Sequence, residues 1–395
     1  MGAAMSADSA RLRSARLTHW LVAEAYPVWA QSGWDSAHGG FHERLAAGGP
    51  VSGDSRRARV QFRQIYAFAR APGLGWSGDV HRLVADGIAH VRSRYLRPDG
   101  LFRTLVAPDG TVIDDRALLY DQAFAILALS AAERLLGPGA GLRQMATALV
   151  DRIRMLYKRR GPGFRSEPTL EHPLSSNPHM HLLEAAWAWC RGGVEPRWQQ
   201  LVAEIVALAL EHMIDPHTGA MREHVELQPA QSAGMLGRLI EPGHQFEWAW
   251  LLLQTACGDR DDVSDAHASI LAVAKRLIDI GEAHGVRNGF VVNALLDDLT
   301  VQDPQARLWP QTERLKAHAC MARRADAEQH WRLAGEAAAA LEQYLHGAGR
   351  GLWHDRRLPD GSFVHEPAPA SSFYHLVCAI GELGSLSSGY HAQQN

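Results

Sequence analysis

Cysteine is scarce: four residues in 395. Cys190, Cys257, Cys320 and Cys378 are far apart, in apolar helical stretches such as Trp187-Ala-Trp189-Cys190. This spacing excludes a disulfide scaffold, and buried free thiols in a cytoplasmic protein are expected. No apolar run reaches the roughly 18 residues of a membrane span. The opening MGAAMSADSARLRSARL has no apolar signal-peptide core. Its Gly2 and Ser6 fit a loose acylation pattern that is too short to carry an argument. Basic charge is not in surplus either, with 40 Lys and Arg against 43 Asp and Glu and a net charge of −3. Nucleic acid and anionic membranes are therefore not expected partners. A glycine-rich Walker-type phosphate loop is missing, and strand-like runs of β-branched residues are few.

What remains is helical. Segments of helical period run near 9–31, 57–71, 79–97, 116–136, 139–159 and 178–192, then 194–213, 243–257, 262–283, 308–325, 327–346 and 371–386. Several are apolar nearly all round, as in Asp121-Gln-Ala-Phe124-Ala-Ile-Leu-Ala-Leu129, and such helices need neighbours on every side. Six turns recur between them: Gly40-Phe41, Gly100-Leu101, Gly163-Phe164, Gly219-Ala220, Gly289-Phe290 and Gly351-Leu352. Their spacings are 60, 63, 56, 70 and 62 residues, so a helix pair with a turn or small hairpin repeats about six times. Six pairs can form an open solenoid or a closed double-layer barrel. Little else repeats between the units, which favours a barrel with different side chains around one pocket. The expected architecture is all-α, a single domain over 1–395 with a flexible N-terminus at about 1–8.

Five clusters sit where candidate helices begin. In Glu241-Pro-Gly-His244-Gln-Phe-Glu247-Trp248, His244 and Glu247 share a helical face, so a carboxylate can orient an imidazole and support its charge. A plain helix-entry histidine is the competing explanation. In Asn177-Pro-His179-Met-His181, Asn177 and His181 are one turn apart, and Asn177 also suits a helix cap. His179 and His181 diverge by about 160° on a helix, which disfavours zinc held by both. Ser371-Ser-Phe-Tyr374-His375 brings His375 to a buried helix start, where a core histidine is the alternative. Arg59 and Arg63, a turn apart among apolar residues, must be paired or face a pocket. Trp309 and Glu313, also a turn apart, suit the apolar face and hydroxyls of a sugar, although Thr312 could be a cap.

Val60-Gln-Phe-Arg63-Gln-Ile-Tyr66, Asn177-Pro-His-Met-His181-x-x-Glu184, Pro242-Gly-His244-x-Phe-Glu247-Trp248, Leu308-Trp309-Pro-x-Thr-Glu313 and Tyr374-His375 together resemble the N-acylglucosamine 2-epimerase superfamily. The resemblance runs from about Trp20 to His375. It implies an (α/α)6 barrel of twelve helices and a sugar isomerase or 2-epimerase that needs no cofactor and no metal. Arg63, His181, His244, Glu247 and His375 fall on the family's active-site positions, and Tyr120, Asn177, Trp309 and Glu313 on sugar contacts. Ser371 falls where residue identity varies between activities.

The implied chemistry is proton transfer at C2 of an open-chain aldose. His375 exchanges the C2 proton, His244 assists ring opening, Glu247 orients His244, and Arg63 with His181 polarise the oxygens at C1 and C2. Return of the proton to C1 gives a ketose, and delivery to the opposite face of C2 gives the epimer. An isomerase of free mannose is the favoured expectation. A 2-epimerase of N-acylglucosamine, glucose or a disaccharide is the alternative. A glycoside hydrolase using Glu247 and Glu313 would leave the histidines unexplained, and a non-catalytic sugar-binding barrel would not need both His244 and His375. The expected partner is a small sugar, and the expected state a monomer or homodimer.

Overall fold

The computed structural model describes residues 2–169, 173–193, 195–225, 234–256, 265–323 and 327–387. Twelve long helices dominate them. In chain order these are α1 (Gly2–Trp20), α2 (Ala58–Arg70), α3 (Val80–Arg94), α4 (Leu119–Leu136), α5 (Leu142–Leu156) and α6 (Ser176–Cys190). The second half supplies α7 (Pro196–Leu208), α8 (Pro242–Thr255), α9 (Asp265–Ile280), α10 (Leu308–Ala322), α11 (Ala327–Leu345) and α12 (Ser371–Ser387). α1 continues through a π-helical turn, Leu21–Ala25, into Tyr26–Gln31, so it opens at Gly2 rather than at the expected residue 9.

The even-numbered helices form a ring. α2 packs on α4, α4 on α6, α6 on α8, α8 on α10, α10 on α12, and α12 returns to α2. The odd-numbered helices form the outer layer, each against an inner partner, with α1 lying on α12 and α11. The arrangement is a closed (α/α)6 barrel, not an open solenoid. Inner helices are buried over most of their surface because they touch neighbours on both sides and an outer helix behind. In α4 every residue from Asp121 to Glu133 is buried. Each fully buried Leu or Phe contributes about 1.5–3 kcal/mol to this core.

All six repeated glycines take the left-handed conformation expected of them, with φ between 65° at Gly351 and 85° at Gly289. A buried amide then ties each turn to its inner helix. Gln61 accepts from the Phe41 N–H at 2.7 Å and donates to the Phe41 carbonyl at 2.8 Å. Gln122, Gln245 and Gln311 clamp Phe102, Met221 and Val291 in the same way. His179 replaces the amide in the third unit, accepting from the Phe164 N–H at 2.9 Å. Phe373 replaces it in the last, where Trp29, Trp353 and Phe373 stack and close the ring.

Short antiparallel pairings link neighbouring hairpins, as in Arg56 with Val106, Leu174 with Val225 and Arg44 with Pro369. No side-chain cap is seen at the starts of the inner helices α2, α4, α6, α8 and α10. The next hairpin supplies a backbone carbonyl instead: Thr104 to Ala58, Ser166 to Leu119, Glu223 to Ser176 and Asp355 to Leu308. In α8 the matching position is Pro242, which has no N–H to satisfy. No described helix is long and apolar enough to cross a membrane. Cys320 is buried, Cys190 and Cys378 are half-buried, and Cys257 lies outside the described residues.

Candidate active site

The amide clamps set a common phase around the ring, and two residues beyond each clamp lies one side chain per inner helix: Arg63, Phe124, His181, Glu247, Glu313 and His375. All six stand near the N-terminal ends of their helices and are buried. Six positive helix ends therefore face one space, a setting that favours developing negative charge. Half-buried Tyr120, Asn177, Trp309 and Ser371 occupy the turn above.

Three histidines here have the same arrangement, a carboxylate on Nδ1 that leaves Nε2 free. His375 Nδ1 donates to Glu313 at 2.8 Å, His244 Nδ1 to Glu223 at 2.8 Å, and His181 Nδ1 to Glu184 at 3.2 Å. The second carboxylate oxygen of Glu184 accepts from the Tyr374 hydroxyl. His244 and His375 both lie against Trp309, with ring centroids 4.9 Å and 5.8 Å away. That indole is seated by Gly243, since a Cβ there would come within 2.5 Å of it.

The two histidines differ in proton affinity. Burial, only partly offset by Glu313, pushes His375 down to about 3. Burial opposes charge on His244 as well, but Glu223 and Glu241 outweigh it and raise its proton affinity well above the ordinary value. His375 is thus a neutral imidazole and His244 an imidazolium over the neutral pH range. Burial also lowers His181, to about 4. Such divergence between neighbouring groups is how one site holds both an acid and a base.

Among the described residues Arg63 meets no carboxylate. Its guanidinium lies 4.2 Å from the Phe124 ring centroid and donates to the Tyr120 hydroxyl at 2.7 Å and the Ser371 carbonyl at 3.2 Å. Arg59 is paired with Asp121 at 3.2 Å. Asn177 Oδ1 and Arg63 Nε are buried and without a hydrogen-bond partner among the described residues. Asn177 does not cap, because α6 begins at Ser176 and makes no side-chain cap bond. Thr312 does not cap either, and instead donates to the Trp309 carbonyl at 2.6 Å.

Two expected roles change. The carboxylate on His244 is Glu223, whereas Glu247 lies by Glu313 and Lys316 and 4.0 Å from His181. Burial and the Glu313 charge raise Glu247 well above the usual carboxylate range, so it is a neutral acid. Glu313, expected at the sugar, is fully buried and pairs with His375 and Lys316. One donor atom each from Glu247, Glu313 and His375 lies within 4.8 Å of the others, and the positive charge at that cluster is the ammonium of Lys316. His330 is buried, with Nδ1 2.9 Å from that of His318.

Glu223 was missed because it lies on a hairpin, far in sequence from the helix it serves. The repeat could have found it. Thr104, Glu223 and Asp355 stand at matching hairpin positions and contact Asp121, His244 and Ser372, which stand at matching helix positions.

The N-acylglucosamine 2-epimerase (GlcNAc 2-epimerase) family profile matches residues 39–379. A mannose-6-phosphate isomerase of Rhizobium meliloti (strain 1021) is 42% identical over 380 residues, covering 94% of this chain and 97% of that protein. A D-mannose isomerase of Thermobifida fusca is 26% identical over 372 residues, covering 87% and 88%. Cellobiose 2-epimerase from Spirochaeta thermophila superposes with a TM-score of 0.83 at 20% identity, covering 97% and 98%. The chain belongs to the N-acylglucosamine 2-epimerase family and is a sugar isomerase or epimerase.

Proposed function

We propose that the protein is an aldose–ketose isomerase of unphosphorylated mannose and related aldoses, with the whole chain acting as one catalytic unit. The observation that carries the reading is the pair of histidines of opposite proton affinity beside Trp309, each oriented by a carboxylate. The His244 imidazolium donates a proton to the ring oxygen as the bond from that oxygen to C1 breaks, and the anomeric hydroxyl gives its proton back to His244, leaving the open-chain aldehyde. Nε2 of neutral His375 removes the proton from C2, and the electron pair moves into a C1–C2 double bond as the carbonyl oxygen becomes an oxyanion. Arg63 and the helix N-termini stabilise the resulting enediolate, while His181 accepts a hydrogen bond from a sugar hydroxyl at Nε2. His375 returns its proton to C1, the O2 proton passes to the O1 oxyanion as the C2 carbonyl forms, and fructose results. Glu247, as a neutral acid, donates a hydrogen bond, while Tyr120, Asn177 and Trp309 hold the hydroxyls and the apolar face of the sugar.

Two observations support a free sugar. Apart from Arg63, three arginines near the helix starts are already paired, Arg57 with Glu43 at 2.6 Å, Arg59 with Asp121 and Arg307 with Asp355 at 3.4 Å. The carboxylates of Glu184, Glu223 and Glu313 make the surroundings poor for a phosphate. The name of the Rhizobium relative favours the contrary reading, mannose 6-phosphate, and both substrates belong in the same assay. A 2-epimerase is the second reading, favoured by the proton on His244, which could reach C2 from the opposite face. A glycoside hydrolase fits poorly. The oxygens of Glu247 and Glu313 lie within 4.8 Å, closer than the carboxyl spacing of about 5–9.5 Å that hydrolases use, and Glu313 is tied to protein partners.

Mannose and mannose 6-phosphate in deuterated water, followed by NMR, test the reading. Deuterated fructose from free mannose is the expected product. Deuterium at C2 of glucose would favour the epimerase, turnover of the phosphate alone would move the substrate, and no exchange with any aldose would overturn both.

A further inference from the structure

One helical turn deeper than the sugar-facing side chains lies a second ring: Tyr66, Leu127, Glu184, Trp250, Lys316 and Cys378. Lys316 is the one cation of these six, and its side chain is fully buried. Its ammonium is 2.6 Å from Glu313 Oε2 and 3.8 Å from the centroid of the Trp250 ring. The other oxygen of the same carboxylate accepts from Nδ1 of His375 at 2.8 Å. A continuous line, Lys316 to Glu313 to His375, thus runs from the dry interior to the imidazole.

We propose that Lys316 is a positioning residue for proton transfer. Its ammonium holds Glu313 as an anion and so keeps His375 in the tautomer whose free Nε2 lone pair faces the sugar. The proposal rests on the reading of His375 as the base. Three carboxylates crowd this space, Glu313 on α10, Glu247 on α8 and Glu184 on α6, and α12 adds Tyr374 and Cys378. From α2, Arg63 acts on His375 in the same direction as Lys316. Buried carboxylates this close cannot all remain ionised unless a cation sits among them. Without the ammonium, the Glu313–His375 pair would bind an additional proton at higher pH. Wherever that proton settles, Nε2 loses its free lone pair. On the carboxylate it forces the opposite tautomer, and on the ring it gives imidazolium. Burial works against ionised Glu313, yet Lys316 and His375 hold it well below the usual carboxylate range.

The test compares full-length Lys316→Met and Lys316→Arg with the parent enzyme across a pH profile of kcat/KM. The methionine variant is expected to move the acid limb upward by about one pH unit or more, with a loss mainly in kcat. The arginine variant keeps the charge and should keep the parental limb. A folded Lys316→Met enzyme with the parental acid limb overturns the proposal, and Lys316→Gln gives the same comparison should methionine not fold. His375→Ala separates the two readings. If it retains proton exchange, the assignment of the base fails. If it abolishes exchange while Lys316→Met leaves the acid limb in place, only the role of Lys316 fails.

Discussion

Glu223 reaches His244 from a hairpin 21 positions earlier in the chain, and its carboxylate accepts the Nδ1 proton at 2.8 Å. Hairpin and helix belong to the same repeating unit, so the fold itself delivers the carboxylate that charges the imidazole. Glu223→Gln should lower kcat/KM by about 10²-fold and draw its basic limb to lower pH, because His244 then loses its proton earlier. Glu247→Gln should be much milder, within about tenfold, since an amide resembles the neutral acid present there. Steady-state kinetics on both variants checks the contrast. Equal losses would contradict it.

The pH profile follows from the two histidines. His375 is depressed towards 3 and must be neutral to act. His244 is raised above its ordinary value and must be charged. The free enzyme should therefore show kcat/KM flat through pH 6–8, falling in acid as His375 gains a proton and in base as His244 loses one. A single ionisation near pH 6.5 would show that neither shift operates.

Arg63 combines a stacked guanidinium with bonds to Tyr120 and Ser371, a geometry an ammonium cannot reproduce. Arg63→Lys should reduce kcat by about 10²-fold while thermal stability changes little. A variant with parental kcat would remove Arg63 from the stabilisation of the enediolate.

Gly243 leaves room for Trp309, and Gly243→Ala should push the indole off its seat beside His244. KM for the sugar is expected to rise about tenfold, with a smaller change in kcat. Unchanged KM would mean that Trp309 is not the platform for the sugar.

His179 links stability to pH. Burial holds it down to about 4 in the folded protein, against an ordinary 6.5. Between those values the unfolded chain binds the additional proton, so the contribution is present above pH 6.5 and is lost as pH falls towards 4. At pH 5 the loss is about 2 kcal/mol. Four other units use Gln at this position, so His179→Gln should keep the clamp on Phe164 and flatten the fall of Tm between pH 7 and 5. A variant whose Tm falls as steeply as the parent's would contradict this.

The barrel was legible because several inner helices are apolar nearly all round and because glycine suits the six turns, two signals that act within short stretches. Arg63, His181, His244 and His375 were legible as polar residues stranded at apolar helix starts. The partners were harder to see. Glu223 lies on another element, and Lys316 in α10 reads as an ordinary helical lysine until Glu313, Glu247 and Glu184 are brought around it. Spacing from Trp309 fixes the helical face of Glu313 but shows neither how deep that face lies nor its pairing with His375 and Lys316. Burial and pairing across units, which decide these roles, come only from closing the ring.

The central claim is that His375 removes the C2 proton. Incubation of the folded His375→Ala enzyme with mannose in deuterated water tests it most directly. Parental enzyme should incorporate deuterium into the sugar, and the variant should lose that incorporation by about 10³-fold or more while still binding mannose. Deuterium entering C2 at the parental rate in the variant would contradict the account.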